Sequence, residues 1–121
     1  MLTKTARLFL IAILGMSTAH VGAHAVLMQS SLEDHTLRVN QPTELLLSFN
    51  SRIELGLSRV FLVSKGDVYT PVEIAKGHKA GQMILKVPAL EEGDYALKYK
   101  VFASDGHLTE DVIRFKVSRG R

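Results

Sequence analysis

The sequence contains no cysteine and no tryptophan, and its 121 residues include only five Phe and three Tyr. The absence of cysteine excludes disulfides, thiolate metal sites and cysteine nucleophiles, so packing alone must stabilise the fold. The scarcity of aromatic side chains disfavours stacking platforms for single-stranded nucleic acid or sugars. The remaining composition, 46% hydrophobic and 22% charged, is typical of one globular domain.

The amino-terminal residues have the order of a secretory signal peptide. Lys4 and Arg7 precede an apolar stretch of nine residues, 8–16, and small residues follow it. This stretch is far shorter than the roughly 20 residues that a membrane-spanning helix needs. We therefore expect export, and no membrane anchor after processing.

Small residues at positions 21 and 23 predict cleavage after Ala23, although cuts after Ala19 or Ala25 would also fit. The predicted organisation is a signal peptide over 1–23 and one domain over 24–121. Cleavage after Ala23 removes two of 15 basic residues and none of the 12 acidic ones, so the mature net charge is +1. A near-neutral chain lacks the clustered Lys and Arg of nucleic-acid-binding proteins, and we expect no nucleic acid partner.

Hydrophobic residues alternate with a period of two, as in β-strands with one buried face. The pattern places Leu45, Leu47 and Phe49 on one face of a strand, for example. Gly, Pro, Asn and Asp separate such stretches, and no segment has a convincing helical period. The predicted strands cover residues 25–30, 44–49, 59–63, 68–74, 82–87, 95–102 and 113–117. About seven short strands predict an all-β fold, an antiparallel β-sandwich of two sheets.

Histidines and carboxylates are the remaining candidates for chemistry. His78 lies between glycines and lysines, which predicts an exposed loop without function. His35 follows two acidic residues between two strands and is expected at the surface, with a weak auxiliary ligand role left open.

The segment Ser104-Asp105-Gly106-His107 lies between the last two predicted strands. An Asp-Gly pair by itself predicts a hairpin turn and needs no function. Cleavage after Ala23 would, however, make His24 the first residue, whose amine and imidazole Nδ1 can chelate one metal. With His107 as a third nitrogen donor and Asp105 as an oxygen donor, the set favours Cu(II), with zinc second.

Several phrases of the sequence together resemble the CopC family of periplasmic copper-resistance and copper-trafficking proteins, over essentially the whole mature chain. They are His24-Ala25-Val26-Leu27, Ser30-Ser31, Ser48-Phe49, Leu90-Glu91-Glu92-Gly93-Asp94-Tyr95, Ser104-Asp105-Gly106-His107 and Phe115-Lys116-Val117. The resemblance implies a Greek-key sandwich, immunoglobulin-like or cupredoxin-like, in the periplasm. It also implies a Cu(II) site formed by the amino-terminal nitrogen and side chain of His24 with His107 and Asp105, which is a reason to place the cut before His24.

The resemblance further implies a binding protein rather than an enzyme. Its partner would be an inner-membrane copper transport protein, CopD-like, and the protein itself would be a monomer. Two other classes stay open at this point. One is a copper monooxygenase that uses the same terminal histidine chelate, the histidine brace, and the other is a metal-free adhesion or chaperone sandwich.

The sequence departs from the family pattern at several positions. The common Phe-Ser-Glu phrase reads Phe49-Asn50-Ser51, so a carboxylate near the copper is missing. Tyr99 stands where the family usually has Trp, and Leu108 where it usually has Pro. Met28 and Met83 are isolated in strand patterns, which predicts core packing and no methionine-rich Cu(I) site.

Overall fold

A computed structural model describes residues 25–32 and 36–119, which form nine β-strands and one 3₁₀ turn at Leu55–Leu57. The predicted signal peptide, His24 and His35 lie outside the described residues. The strands are β1 (Leu27–Ser30), β2 (Thr36–Arg38), β3 (Thr43–Phe49), β4 (Arg59–Ser64), β5 (Val68–Pro71), β6 (Glu73–Lys76), β7 (Gln82–Val87), β8 (Gly93–Phe102) and β9 (Leu108–Ser118). Within the described ranges, no helix has the length and hydropathy that a membrane crossing requires.

The strands form two sheets, one of four strands in the order β1-β3-β7-β6 and one of five in the order β2-β9-β8-β4-β5. Consecutive strands repeatedly alternate between the sheets, and the architecture is the predicted Greek-key β-sandwich. Strand β2 pairs with β9 in parallel, whereas the other pairs in the described sheets are antiparallel. The expectation of a purely antiparallel sandwich is therefore wrong at this one edge.

Besides shifts at strand ends, two features of the strand arrangement differ from the prediction. The stretch 68–74 is not one strand but two, β5 and β6, which belong to different sheets. Pro71 has no N–H to continue the ladder, and Val72 is buried as the chain crosses between the sheets. Strand β2 is absent from the prediction because three residues are too few to show an alternation.

The core lies between the sheets, and both contribute their alternate residues as predicted. Leu45, Leu47, Phe49, Met83, Leu85, Val87, Leu97, Tyr99, Val101, Phe115 and Val117 are all buried. Tyr99 packs edge-to-face against Phe49, with ring centroids 5.6 Å apart, and so joins the two sheets. Burial raises the pKa of the Tyr99 phenol, and the Asp111 carboxylate raises it further.

Met83 is a core residue, but the prediction of core packing is wrong for Met28, which is 66% exposed. Met28 lies on β1, an edge strand whose register against β3 shifts between Leu27 and Gln29. Such a bulge changes the direction of the side chains beside it, so the period-two pattern does not carry through this strand.

Gly81 fixes the turn between β6 and β7 against the end of β3. Its φ is +85°, and a Cβ at this position would lie 2.9 Å from the carbonyl oxygens of both Phe49 and Ser51. The Gly81 carbonyl also accepts the backbone N–H of Phe49 at 2.8 Å. Only glycine fits this close contact between backbones.

We expect Gly81→Ala to destabilise the protein more than Gly66→Ala does. Both glycines have a positive φ, but the space around Gly66 is open. Gly66→Ala should therefore lose about 1–2 kcal/mol of unfolding free energy from the left-handed conformation alone. Gly81→Ala should lose about 1–3 kcal/mol more through the clash. Chemical denaturation of both variants measures the difference, and equal losses would contradict the close packing of this turn.

Candidate metal centre

The hairpin between β8 and β9 holds Asp105 and His107 in a tight turn. The Ala103 N–H donates to the His107 carbonyl at 2.9 Å, and the Gly106 N–H donates to the Ala103 carbonyl at 2.9 Å. Gly106 has a φ of +93°, which favours glycine. Leu108 begins β9 directly after the turn and pairs with Phe102. The Asp-Gly prediction of a turn is confirmed.

Within this turn the Asp105 carboxylate contacts His107 through both oxygens. Oδ1 accepts the His107 backbone N–H at 3.1 Å, and Oδ2 lies 3.1 Å from the imidazole Nδ1. The hydrogen bond from the His107 backbone lowers the pKa of the Asp105 carboxyl, so the group is charged at neutral pH. The side chains remain 41% and 52% exposed, which leaves the imidazole accessible from solvent.

This contact bears on how His107 can bind a metal. A carboxylate beside Nδ1 favours the neutral tautomer that carries its proton on Nδ1. Nε2 is then the nitrogen suited to coordination, with Asp105 orienting the ring, an arrangement common around metal-bound histidines. The geometry therefore favours an orienting role for Asp105 over that of an oxygen donor.

The segment of residues 50–53, here called the bridging segment, anchors the beginning of the described chain. The Val26 N–H donates to the Asn50 side-chain Oδ1 at 2.8 Å, and the Asn50 N–H donates to the Val26 carbonyl at 2.9 Å. Val26 is only two residues after His24. The backbone that leads to His24 is thus held at the end of β3.

The other end of the bridging segment anchors the His107 turn. The Ser104 N–H donates to the Arg52 carbonyl at 2.9 Å, and Ile53 forms an antiparallel bridge with Ala103. Four consecutive residues therefore contact both parts of the chain that carry the predicted ligands. The topology brings these parts to one end of the sandwich.

The other predicted site residues are placed as follows. Within 25–32 and 36–119, no group of three or more His, Cys, Asp and Glu side chains could hold a metal ion, so Asp105 and His107 contribute a pair to which His24 would have to be added. His78 is exposed, as predicted, on the β6–β7 turn. It lines a cleft of about 550 Å³ with Arg52 and Glu54, so its turn is near the bridging segment but contributes no ligand to this pair.

The sequence pattern does not identify Asn50 as part of this arrangement. An Asn directly after a strand is typical of turns, where its side chain usually bonds to the nearby backbone. Here the partner is Val26, 24 residues earlier in the chain. Only the pairing of β1 with β3 shows that this side chain supports the amino-terminal part of the candidate site.

Comparison with known proteins identifies the family. A family model described as the CopC domain matches residues 27–118. The chain belongs to the CopC family. The resemblance seen in the sequence is therefore confirmed.

Solved structures agree with this assignment. CopC from Methylosinus trichosporium OB3b has a TM-score of 0.67 at 22% identity, covering 81% of this chain and 98% of its own. PcoC, a methionine-rich copper resistance protein from Escherichia coli, has a TM-score of 0.61 at 24% identity, with 78% and 99% covered. At these identities the likeness shows the fold. No curated protein sequence matches the chain.

CopC family proteins are copper-binding resistance proteins and not enzymes. This membership confirms the prediction that the chain is not an enzyme, and it removes the support for the monooxygenase alternative. What the described pair does with a metal is a separate question of ligand chemistry.

The contact between Asp105 and His107 can be tested in the metal-free protein. We expect neutral His107 to carry its proton on Nδ1 and Asp105→Asn to move that proton to Nε2. In the variant, the amide oxygen would keep accepting the His107 backbone N–H. The amide nitrogen would then face Nδ1, and because it is a donor it cannot accept a hydrogen bond from an Nδ1 proton. Long-range ¹⁵N–¹H NMR distinguishes the tautomers, and His78 in the same spectra should stay unchanged. If His107 shows the same tautomer in both proteins, the carboxylate does not orient the ring.

Proposed function

We propose that the protein binds Cu(II) in the periplasm for copper resistance, by buffering copper or delivering it. The ligands are the amine and imidazole of His24, the imidazole of His107 and, as an orienting or oxygen-donating group, Asp105. The observation that carries the proposal is the bridging segment, which bonds to Val26 at one end and Ser104 at the other. Membership of the CopC family supports the choice of metal.

The donor set suits Cu(II) better than Cu(I). Amine and imidazole nitrogens with a carboxylate favour Cu(II), whereas Cu(I) prefers thiolate and thioether sulfur. The sequence has no cysteine. Of the methionines in the described chain, Met83 is buried in the core and Met28 is exposed on an edge strand, so these two do not form a shared thioether site.

The accessibility of the site suits exchange rather than permanent storage. The His107 side chain is half-exposed on a turn at the end of the sandwich, where an incoming ligand can reach a bound metal. The recipient that the family resemblance implies is a CopD-like inner-membrane copper transport protein, with this chain acting as a monomer. The proposal also requires signal-peptide cleavage after Ala23, because only that cut frees the His24 amine. The mass of the exported protein should therefore correspond to residues 24–121.

The terminal amine provides the most direct test. We expect one Gly added before His24 to weaken Cu(II) binding strongly, because a direct ligand is displaced. Losing only an outer hydrogen-bond partner typically costs about 10 to 100-fold in affinity, and the added Gly should cost more than that. Competition titration against a Cu(II) chelator measures the affinity. The metal-free proteins should unfold at the same temperature, since the added residue precedes the described core. Equal affinity with and without the Gly would exclude the amino-terminal chelate.

Substitution can distinguish the histidine that binds copper from one that does not. We expect His107→Ala to remove one nitrogen ligand from the electron paramagnetic resonance spectrum of the copper complex and to lower its affinity the most. His78→Ala, which removes another exposed histidine, is the matched control and should leave both unchanged. Asp105→Asn should lower the affinity by about 10 to 100-fold while the nitrogen count stays constant.

These spectra also test the metal-free alternative. A wild-type spectrum from His107→Ala would show that copper is bound elsewhere. No specific binding by the correctly processed wild type would leave a metal-free sandwich module, with the Asp-Gly sequence serving only its turn.

A further inference from the structure

A cleft with a basic rim lies between the β6–β7 turn and residues 52–55, and its volume is about 550 Å³. Exposed side chains that can carry charge line it from both sides: Arg52, Glu54, Lys76, His78 and Lys79. We call it the basic cleft. Its Lys and Arg side chains outnumber its one carboxylate, whereas the predicted mature chain as a whole is near neutral. Positive charge is therefore concentrated at this place.

The Lys and Arg side chains of the basic cleft have no acidic partner in the part of the chain that the structure describes. The ion pairs between described residues use other basic side chains: Lys86, Lys100, Lys116, Arg119 and His107. Glu54 lines the same cleft but forms no ion pair with its cations. The positive charge of the cleft is therefore available to a negatively charged group from another molecule.

The β6–β7 turn holds one side of the cleft in a fixed shape. The Gly77 N–H donates to the Gln82 carbonyl at 3.2 Å, and the Gln82 N–H donates to the Lys79 carbonyl at 3.1 Å. The Gln82 side chain closes the turn as well, since its Oε1 accepts the Lys79 N–H at 3.0 Å. The backbone that carries Lys76 and Lys79 is therefore ordered before a partner binds, which lowers the cost of binding.

The opposite side of the cleft is bonded to the hairpin that carries His107. The Arg52 carbonyl accepts the Ser104 N–H at 2.9 Å, and the Glu54 N–H donates to the Phe102 carbonyl at 2.8 Å. Phe102 and Ser104 belong to the β8–β9 hairpin, so this side of the cleft and the His107 turn are held together by backbone hydrogen bonds. A partner in the cleft would lie next to this hairpin.

The inner part of the cleft is apolar. Ile53 and Leu55 line it, and both are half-buried and pack against the core. An apolar centre with a charged rim is the usual anatomy of a protein–protein interface. A free small anion would leave the apolar part unfilled, and a bilayer surface, which is flat on this scale, would contact only the rim. A polypeptide can place apolar groups inside the cleft and carboxylates on its rim.

We propose that the basic cleft is a docking surface for an acidic segment of the protein that receives copper from this chain. This inference rests on the proposed function. Carboxylates of the segment pair with Arg52, Lys76 and Lys79, and docking brings the partner's copper ligands to the half-exposed His107. Charge pairs at an exposed rim mainly speed up association and set the orientation of the partner. A small contact of this kind is typical of transient complexes, which suits transfer.

The docking surface can be tested in the metal-free protein with an oligoglutamate peptide as the probe. We expect ¹⁵N–¹H NMR titration to shift the backbone signals of residues 52–55 and 76–82 selectively. The double variant Lys76→Glu/Lys79→Glu should bind the peptide about 10-fold more weakly, because attractive charge pairs become repulsive. Added salt should weaken the wild-type binding as well, because it screens exposed charges.

The matched control is Arg38→Glu/Lys65→Glu, which changes the net charge equally at exposed positions outside the cleft. It should bind the peptide as wild type does. All four substitutions are at exposed residues, so both variants should keep the spectrum of the folded protein. Equal peptide binding by wild type and Lys76→Glu/Lys79→Glu would overturn the cleft as the docking surface.

Other probes distinguish the acidic segment from other occupants of the cleft. Oligoglutamine should leave the signals of the cleft unchanged, because it has no carboxylates. If citrate or vesicles of phosphatidylglycerol shift the same signals as strongly as oligoglutamate does, the choice of an acidic protein segment is overturned. In that case the cleft binds a free anion or an anionic lipid surface instead.

Copper transfer connects the cleft to the proposed function. The acceptor is a Gly-Gly-His peptide, a nitrogen chelator of Cu(II), extended by oligoglutamate or by oligoglutamine. At low salt we expect wild type to transfer copper about 10-fold faster to the acidic acceptor, as electrostatic steering predicts. Lys76→Glu/Lys79→Glu should lose this preference while its Cu(II) affinity stays that of wild type.

The outcomes of this experiment separate the two proposals. Equal transfer rates from wild type to both acceptors would overturn the role of the cleft and leave Cu(II) binding intact. Wild type that fails to bind Cu(II) would overturn the proposed function, and with it the copper-receiving partner, even if the metal-free protein binds oligoglutamate.

Discussion

The backbone hydrogen bonds of residues 50–53 are the constraint on which the candidate site depends. The two proposed histidine ligands are more than 80 positions apart in the sequence, and no element of the chain carries both. The bridging segment bonds to Val26 at one end and to Ser104 at the other. Two segments that are far apart in the sequence therefore lie close together in the fold. Its own position follows from β3, whose last residue, Phe49, packs on Tyr99 of the other sheet.

This arrangement separates the stability of the fold from metal binding. The sequence has no cysteine, and the described sandwich is stabilised by apolar residues buried between its two sheets. The Asp105–His107 turn projects from the end of that core and is closed by its own backbone and carboxylate hydrogen bonds. The metal-free protein can therefore keep the turn in a binding conformation, which lowers the ordering cost of binding. Loss of copper would leave the fold intact, unlike in small domains that fold only around zinc.

Much of this organisation could be predicted from the sequence where the physical signal is local. Alternation identified the buried faces of β3, β7, β8 and β9, because each pairs a core face with a more polar one. It failed at β1, where a register shift exposes Met28, and at Pro71, where one apparent strand divides between two sheets. Asp105 and His107 were predictable because they are neighbours in a turn. Asn50 was not, since its role depends on strand pairing that no short motif encodes.

The charge of the proposed ligands also bears on how firmly the site would hold copper. A second carboxylate in the site would add a negative charge close to the dication, and attraction between opposite charges is strong where water is partly excluded. Asp105 is the one carboxylate of the proposed ligand set, and its charge is already shared with His107. The proposed ligand set is therefore mainly neutral nitrogen on a half-exposed turn. Such a site should release Cu(II) to a competing ligand more readily than one with a second carboxylate, which is the behaviour that buffering or delivery requires.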